Sequence, residues 1–281
     1  MIGPKLVNRS AQIKNFNTWD PSSIAFFNAL AADGVTLTPT QKNAVNRLVL
    51  NLKGKGNLNS SIDFFSASYA IYPFVGGSAT AHKYNLRDVN TFLITYGGGV
   101  THNSNGITGN GINGFGDTFF SPLNNNIPLD DLGISVYSRT SSNVGVELGG
   151  SDAGLTNSLY IQTRSGGFSV MQANSSTFAA VAEPTGQGLF VAVRRNSTSM
   201  QIYKNGISSI LKTSSANSSS RTASTLNLLR QNTAGVGTSY SDKNLAFASI
   251  FTATSSIYSD AKMPTYYNII QQFQTDLNRQ V

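Results

Sequence analysis

From Ile62 to Tyr258 the chain is written as short apolar runs broken by clusters of Gly, Asn and Ser. The runs include Thr91–Tyr96, Ile134–Tyr137, Ser158–Thr163, Leu189–Val193, Met200–Tyr203, Leu226–Leu229 and Leu245–Phe251. Each has the length of a strand, and no helical period intervenes between them. Many short strands joined by polar turns predict a mainly β protein, an antiparallel β-sandwich of the jelly-roll kind. Tyr203-Lys204-Asn205-Gly206-Ile207 predicts one of its hairpins, because Asn-Gly suits the positive φ of a type I′ turn. The Ser-rich stretch Ser214–Ser220 reads as an exposed, mobile loop. No period of 20–50 residues stands out, so this is not a repeat protein.

The flanks have a different texture. Residues 1–19 carry no periodicity and read as an extended arm ending at Trp19, the only tryptophan. Residues 20–58 predict a helical hairpin. Asp20-Pro21 supplies a cap and a first-turn proline, and Ile24, Phe27, Leu30 and Ala31 are expected to form the apolar face. The second helix opens on Thr38 with Gln41 three residues later, a capping box, and Gly54 ends it. Its stripe is Ala44, Val45, Leu48, Val49 and Leu52. The sandwich spans residues 59–258. Residues 259–281 close the chain with a helix, Pro264 to Asn278, expected to dock on the sandwich or the hairpin through Tyr266, Ile269, Ile270, Phe273 and Leu277.

Composition narrows the function classes. Charged residues make up 12% of the 281, about half the usual share of roughly 25%. Asn, Ser, Thr and Gly replace them, while 16 Phe and 11 Tyr argue for a packed core rather than disorder. The net charge of +7 is scattered and does not make the basic stripe that nucleic-acid binding requires. The tightest basic group is Arg194-Arg195, where strand alternation turns one side chain outward and leaves the other needing a partner. Contact with an acidic glycan or partner surface suits such a charge. With no cysteine, disulfides and thiolate metal sites are excluded. MIGPKLVNRS lacks the apolar stretch of a secretion signal, and no run is long enough to span a membrane. Action outside a cell is therefore expected to need a carrier, such as a virus particle released by lysis.

One block, Ala70 to Asp88 (AIYPFVGGSATAHKYNLRD), reads as an edge strand, a tight Gly76-Gly77 turn and a return strand around Tyr84 and Leu86. It resembles a block of phage tail and other virion proteins, especially of phages infecting Bacteroidetes-type bacteria. Leu37-Thr38 through Leu52-Lys53, Tyr137-Ser138-Arg139-Thr140, the YKNG hairpin, Ala246–Ile250, Phe273-Gln274-Thr275 and Arg279-Gln280-Val281 extend the likeness over roughly residues 36–281. Gly54–Ser68 departs from it, a shorter linker with a Trp being usual there. The resemblance implies a concanavalin/laminin-G-like lectin sandwich in a non-enzymatic structural component of a virion (tail, baseplate, fibre or head surface). Its partners would be other virion proteins and copies of itself. The N-terminal region would anchor it while sandwich loops face outward, and a host surface glycan would be its ligand as an adhesin.

Catalytic constellations are hard to find. A glycan hydrolase, the third reading, needs paired carboxylates on one strand face. The chain has two glutamates, Glu147 and Glu183, and Leu148-Gly149-Gly150-Ser151-Asp152 after Glu147 does not give that alternation. Glu147 reads as a solvated strand position. Gly109-Asn110-Gly111-Ile112-Asn113-Gly114 matches GxGxxG, yet a strand-like run follows instead of a helix, so it reads as a loop between strands. His82 and His102 are the only histidines, and His82 is expected to hydrogen-bond to backbone. No other cofactor is expected, but Asn124–Asn126 with Asp130-Asp131 leaves room for calcium. Glycan recognition joins rings to amide, carboxylate and backbone hydrogen bonds. The loops Gly97–Gly116 and Gly149–Asn157 supply Tyr96, Asn103, Asn105, Asn110, Asn113, Phe115, Asp152 and Asn157 as candidates.

Overall fold

A computed structural model describes residues 19–212, 216–253 and 256–281. The expected arm, apart from Trp19, and the start of the Ser-rich loop lie outside the described residues. Among the described residues the strands form an eight-stranded and a nine-stranded sheet. The first runs in the order Ile207–Lys212, Ser199–Lys204, Gly188–Asn196, Leu132–Ser138, Asn244–Phe251, Gly106–Thr108, Thr101–Asn103, and Ser68–Tyr72 also pairs with Asn244–Phe251. The second runs Ala179–Ala182, Phe168–Ser175, Ser158–Ser165, Leu148–Ser151, Asn227–Leu228, Phe115–Asp117, Thr95–Gly97. Pairing is antiparallel except where Gln231–Thr233 runs parallel to Leu148–Ser151. This is the expected antiparallel, jelly-roll-like sandwich.

Alternation sorts the side chains into two cores. Leu132, Ile134 and Val136 face the second sheet and pack with Leu148, Ile161, Met171 and Leu228. Tyr137, Leu189, Val191, Val193 and Phe247 point the other way, into a second cluster shared with the helices. The first sheet is thus buried on both faces, which is why its strands read as unbroken apolar runs. The second sheet keeps one open face. The helices α1 (Pro21–Ala32), α2 (Pro39–Leu52) and α4 (Met263–Asp276) back the first sheet. Tyr266 on α4 reaches through that layer to hydrogen-bond Ser135 and Ser249.

The caps are those the sequence predicts. Asp20 accepts from the Ser22 amide, and Thr38 and Gln41 exchange both bonds of the capping box. The α1 face differs, because Ser23, Phe26, Phe27 and Leu30 are buried while Ile24 and Ala31 are exposed. Phe26 and Phe27 lie one turn before Leu30, and two aromatic rings bury more apolar surface than Ile24 and Ala31 would. The hairpin is part of the shared cluster: the centre of the Phe26 ring lies 6.5 Å from that of Tyr84, and the Phe65 amide donates to Leu52 O. The Asn205-Gly206 turn has both residues at positive φ. A Cβ on Gly206 would lie 2.8 Å from Pro264 Cα on α4, so glycine is required there by contact as well as by turn geometry. Part of the Ser-rich loop is tethered: the Ser218 amide donates to Ser197 O, and the Ser219 amide to Asn174 O. Among the described residues, no helix is long and apolar enough to cross a membrane.

One buried charge, Glu147, corrects the sequence reading, and a pair of adjacent arginines fits it. Arg194 is fully buried and donates to the carbonyls of Ala173, Asn196 and Ala216. Arg195 turns the other way to pair with Asp260. Glu147 is not solvated. It is fully buried against Lys243 at 2.9 Å, a partner 96 residues away that no local pattern announces. Arg279 is buried against the turn that follows Ser68–Tyr72.

That turn also departs from expectation. After Gly77 the chain makes the short helix α3 (Ala79–His82), capped by Ser78, and no return strand forms at Tyr84 and Leu86. Asn85 replaces the ladder: its Oδ1 accepts from the Ile71 amide, while the Leu86 amide donates to Ile71 O. His82 Nε2 accepts from the Gly77 amide, the expected backbone bond, so the proton of neutral His82 sits on Nδ1 and faces His102 Nδ1 at 3.1 Å. Burial, with the His102 and Arg279 charges adding to it, pulls the His82 pKa down to about 3. Burial lowers that of His102 as well. The folded chain therefore binds fewer protons than the unfolded one below the ordinary histidine value of 6.5. Stability is complete above that value and is lost as pH falls toward 3. Between pH 7 and pH 5 the expected loss from His82 is about 2 kcal/mol. Urea midpoints across this interval, above the range of ordinary carboxylates, check it; a flat profile refutes it.

Candidate functional site

The open face of the second sheet carries a cleft of about 510 Å³ walled by Asp117, Asp152, Ser224, Thr225, Arg230 and Asn232. Register explains how these residues meet. Leu228 lies opposite both Gly116 and Leu148 and points into the core. The neighbouring positions Phe115, Asp117 and Asn227 therefore share the outer face. The parallel strand Gln231–Thr233 and the loop before Asn227 close the sides.

Arg230 is held before any ligand arrives. Its guanidinium stacks on Phe115 with 3.4 Å between the guanidinium carbon and the ring centre. Nε donates to Asn227 Oδ1 at 2.8 Å and Nη1 to the Tyr240 hydroxyl at 3.2 Å. Asp117 is fixed as well: Oδ1 accepts from the Phe119 amide and Oδ2 from Thr225 Oγ1. Asn232 donates to Thr225 O and Oγ1, both at 3.0 Å. Asp152 accepts from the Thr156 amide and hydroxyl and from the Asn157 amide and side chain. Burial is the largest single influence and raises the Asp152 pKa, but those four bonds together outweigh it and hold the carboxyl below its usual range. A side chain so held stays ionised and makes a poor proton donor.

The structure disperses most of the expected site. Asp152 lines the cleft, and Phe115 supports Arg230. Since Arg230 covers its face, Phe115 is not the open platform expected. Tyr96 belongs to the packing: its ring meets His102 at 4.4 Å and its hydroxyl donates to His82 O. Asn103 accepts from the Asn105 amide at the tip of a hairpin, away from the cleft lining. Asn110 accepts from the amides of Ile112, Asn113 and Gly114 and donates to Asn113 Oδ1, organising the expected loop between strands. Asn157 binds Asp152 and Ser219. On the calcium loop, Asn125 Oδ1 accepts from the Ser121 amide and Asn126 Oδ1 from Arg221, so two of its oxygens are taken by protein donors. Asp117, Thr225, Arg230 and Asn232 are not among the residues the sequence points to. Asp117 is within its reach, two residues after Phe115 and so on the same face; the others depend on long-range pairing.

No family model matches the sequence, and no match was found among curated proteins. Among solved structures the fold is similar to botulinum neurotoxin type C, from work on its cell entry through two ganglioside molecules, with 13% identity, TM-score 0.51, and 74% of this chain and 52% of that one covered. It is equally similar to the binding domain of botulinum neurotoxin DC in complex with rat synaptotagmin II, at 14% identity, TM-score 0.51 and coverage of 75% and 53%. A third likeness is to the receptor binding domain of the botulinum neurotoxin C/D mosaic serotype, at 10% identity, TM-score 0.50 and coverage of 73% and 51%. This chain spans about half the length of each. At such identities the likeness establishes the architecture: a β-sandwich of the type found in toxin receptor-binding domains.

Proposed function

We propose that the chain is a non-enzymatic, lectin-like module that binds glycan in the cleft between Asp117, Arg230 and Asn232. The observation that carries this reading is the fixed polar lining. A donor and an acceptor are locked by stacking and hydrogen bonds on an open sheet face, so little ordering entropy remains to be lost when a polyhydroxyl ligand enters. The ganglioside interaction of the similar toxin supports a glycan as ligand but not the charge of the sugar bound here. Ionised Asp152 and ion-paired Glu147 and Glu183 favour binding without cleavage, since none is placed as a general acid. A glycan array read with wild type and Arg230→Ala tests the proposal. Binding that falls at least about tenfold in the variant, a change of roughly 1.4 kcal/mol, is the expected result. Unchanged binding, or none by wild type, refutes it.

The module's setting, on this reading, is the surface of a phage particle, which the sequence likeness over residues 36–281 favours. Mass spectrometry of purified particles should find the polypeptide, and its repeated absence removes this part of the proposal.

A further inference from the structure

We infer that the cleft takes a neutral sugar through adjacent hydroxyls and turns acidic sugars away, an inference that rests on the glycan-binding reading above. The lining holds two carboxylates, Asp117 and Asp152, against one guanidinium, Arg230. Its other polar side chains, Ser224, Thr225 and Asn232, are uncharged. The cleft is therefore acidic on a chain whose net charge is +7. A sugar carboxylate entering it would meet more negative than positive charge at close range.

Arg230 offsets that repulsion only in part. Recognition of a carboxylate by arginine is strongest when two guanidinium nitrogens present parallel N–H bonds. Here Nε is committed to Asn227 and Nη1 to Tyr240. Nε has a single N–H, so the fork that uses it is closed, while Nη1 keeps one N–H and Nη2 two. Arg230 can still donate to hydroxyl or ring oxygens, but its one positive charge is outnumbered by the carboxylates of Asp117 and Asp152.

Asp117 has the opposite capacity. Each carboxylate oxygen accepts one bond from the protein, from the Phe119 amide and from Thr225 Oγ1. A carboxylate oxygen has two lone pairs, so each keeps one. Two acceptors at the fixed spacing of one carboxylate match two neighbouring hydroxyls, which donate. Asp152 spends its oxygens on Thr156 and Asn157 and adds negative charge to the wall rather than contacts.

Calorimetry with the full chain tests this, using methyl α-mannoside and methyl β-galactoside as neutral probes and glucuronic acid and sialyllactose as acidic ones. At least one neutral probe should bind at least about tenfold more tightly than either acidic probe. Its affinity should change less than about twofold between about 20 and 500 mM NaCl, since no net charge pairs with it. Asp117→Asn should weaken it about tenfold; the salt series on wild type decides the question even if that variant folds poorly. Equal or tighter binding of an acidic probe, weakening with salt, overturns the inference and leaves glycan binding standing. No binding of any probe, with a blank glycan array, overturns both.

Discussion

Replacing Lys243 with methionine should lower the unfolding free energy by about 3–5 kcal/mol, because it strands a buried carboxylate. Lys243 and Glu147 are both fully buried, and every bonding position of the ammonium is used. Nζ donates to Glu147 Oε1 at 2.9 Å, to Val144 O at 2.7 Å and to Arg164 O at 2.9 Å. Glu147 also accepts from Ser241 Oγ and from the Thr163 amide. Glu147 directly precedes the strand Leu148–Ser151 of the open sheet, and Lys243 directly precedes Asn244–Phe251 of the helix-backed sheet. The pair pins the two sheets at one end, next to the strand that supports the cleft. Adding Glu147→Leu to Lys243→Met should recover part of the loss by removing the stranded charge. The Val144 and Arg164 carbonyls would still lack their donor. Guanidinium unfolding of wild type and both variants measures this, and a loss under about 1 kcal/mol in Lys243→Met would show that the pair contributes no more than a surface ion pair does.

Arg279→Met is expected to cost about 3 kcal/mol or more, since it leaves several buried acceptors unpaired. The guanidinium donates to Pro73 O at 2.7 Å, Phe74 O at 2.8 Å, Ala246 O at 2.8 Å and Gln274 Oε1 at 2.6 Å. Burial, with the Arg139 charge adding to it, pulls its pKa down to about 9, so it remains charged at neutral pH. Phe74 is held at φ 45°, a conformation a bulky side chain adopts only when its surroundings impose it. Arg279 grips the carbonyls of Pro73 and Phe74 and joins the chain's end to the turn after the strand Ser68–Tyr72. Arg279→Lys should rescue little, because one ammonium cannot reproduce a planar fork that serves separate carbonyls. A lysine variant as stable as wild type would argue that charge alone matters.

Much of the fold is legible directly. The capping box at Thr38 and Gln41, the α2 stripe and the Asn205-Gly206 turn depend on residues within a few positions of each other. Strands such as Leu189–Val193 and Leu245–Phe251 stand out because both of their faces are buried. Thr91–Tyr96 reads as a longer strand than forms, and only Thr95–Gly97 pairs there; Asn85 takes the neighbouring backbone bonds instead. The site is less legible. Its conspicuous residues, the Asn-rich loop of residues 103–113, spend their amides on their own turns.

Which segments turn, cap and bury follows from the order of residues alone, since those preferences arise from backbone geometry and the spacing of apolar side chains. That Glu147 meets Lys243, that Arg279 closes on Pro73 and Phe74, and that Arg230 comes to rest on Phe115 are outcomes of the assembled fold. Such partners lie far apart along the chain. Hydrogen bonding and charge act at a few ångströms, so their pairings are set only once strand order and register bring those side chains together.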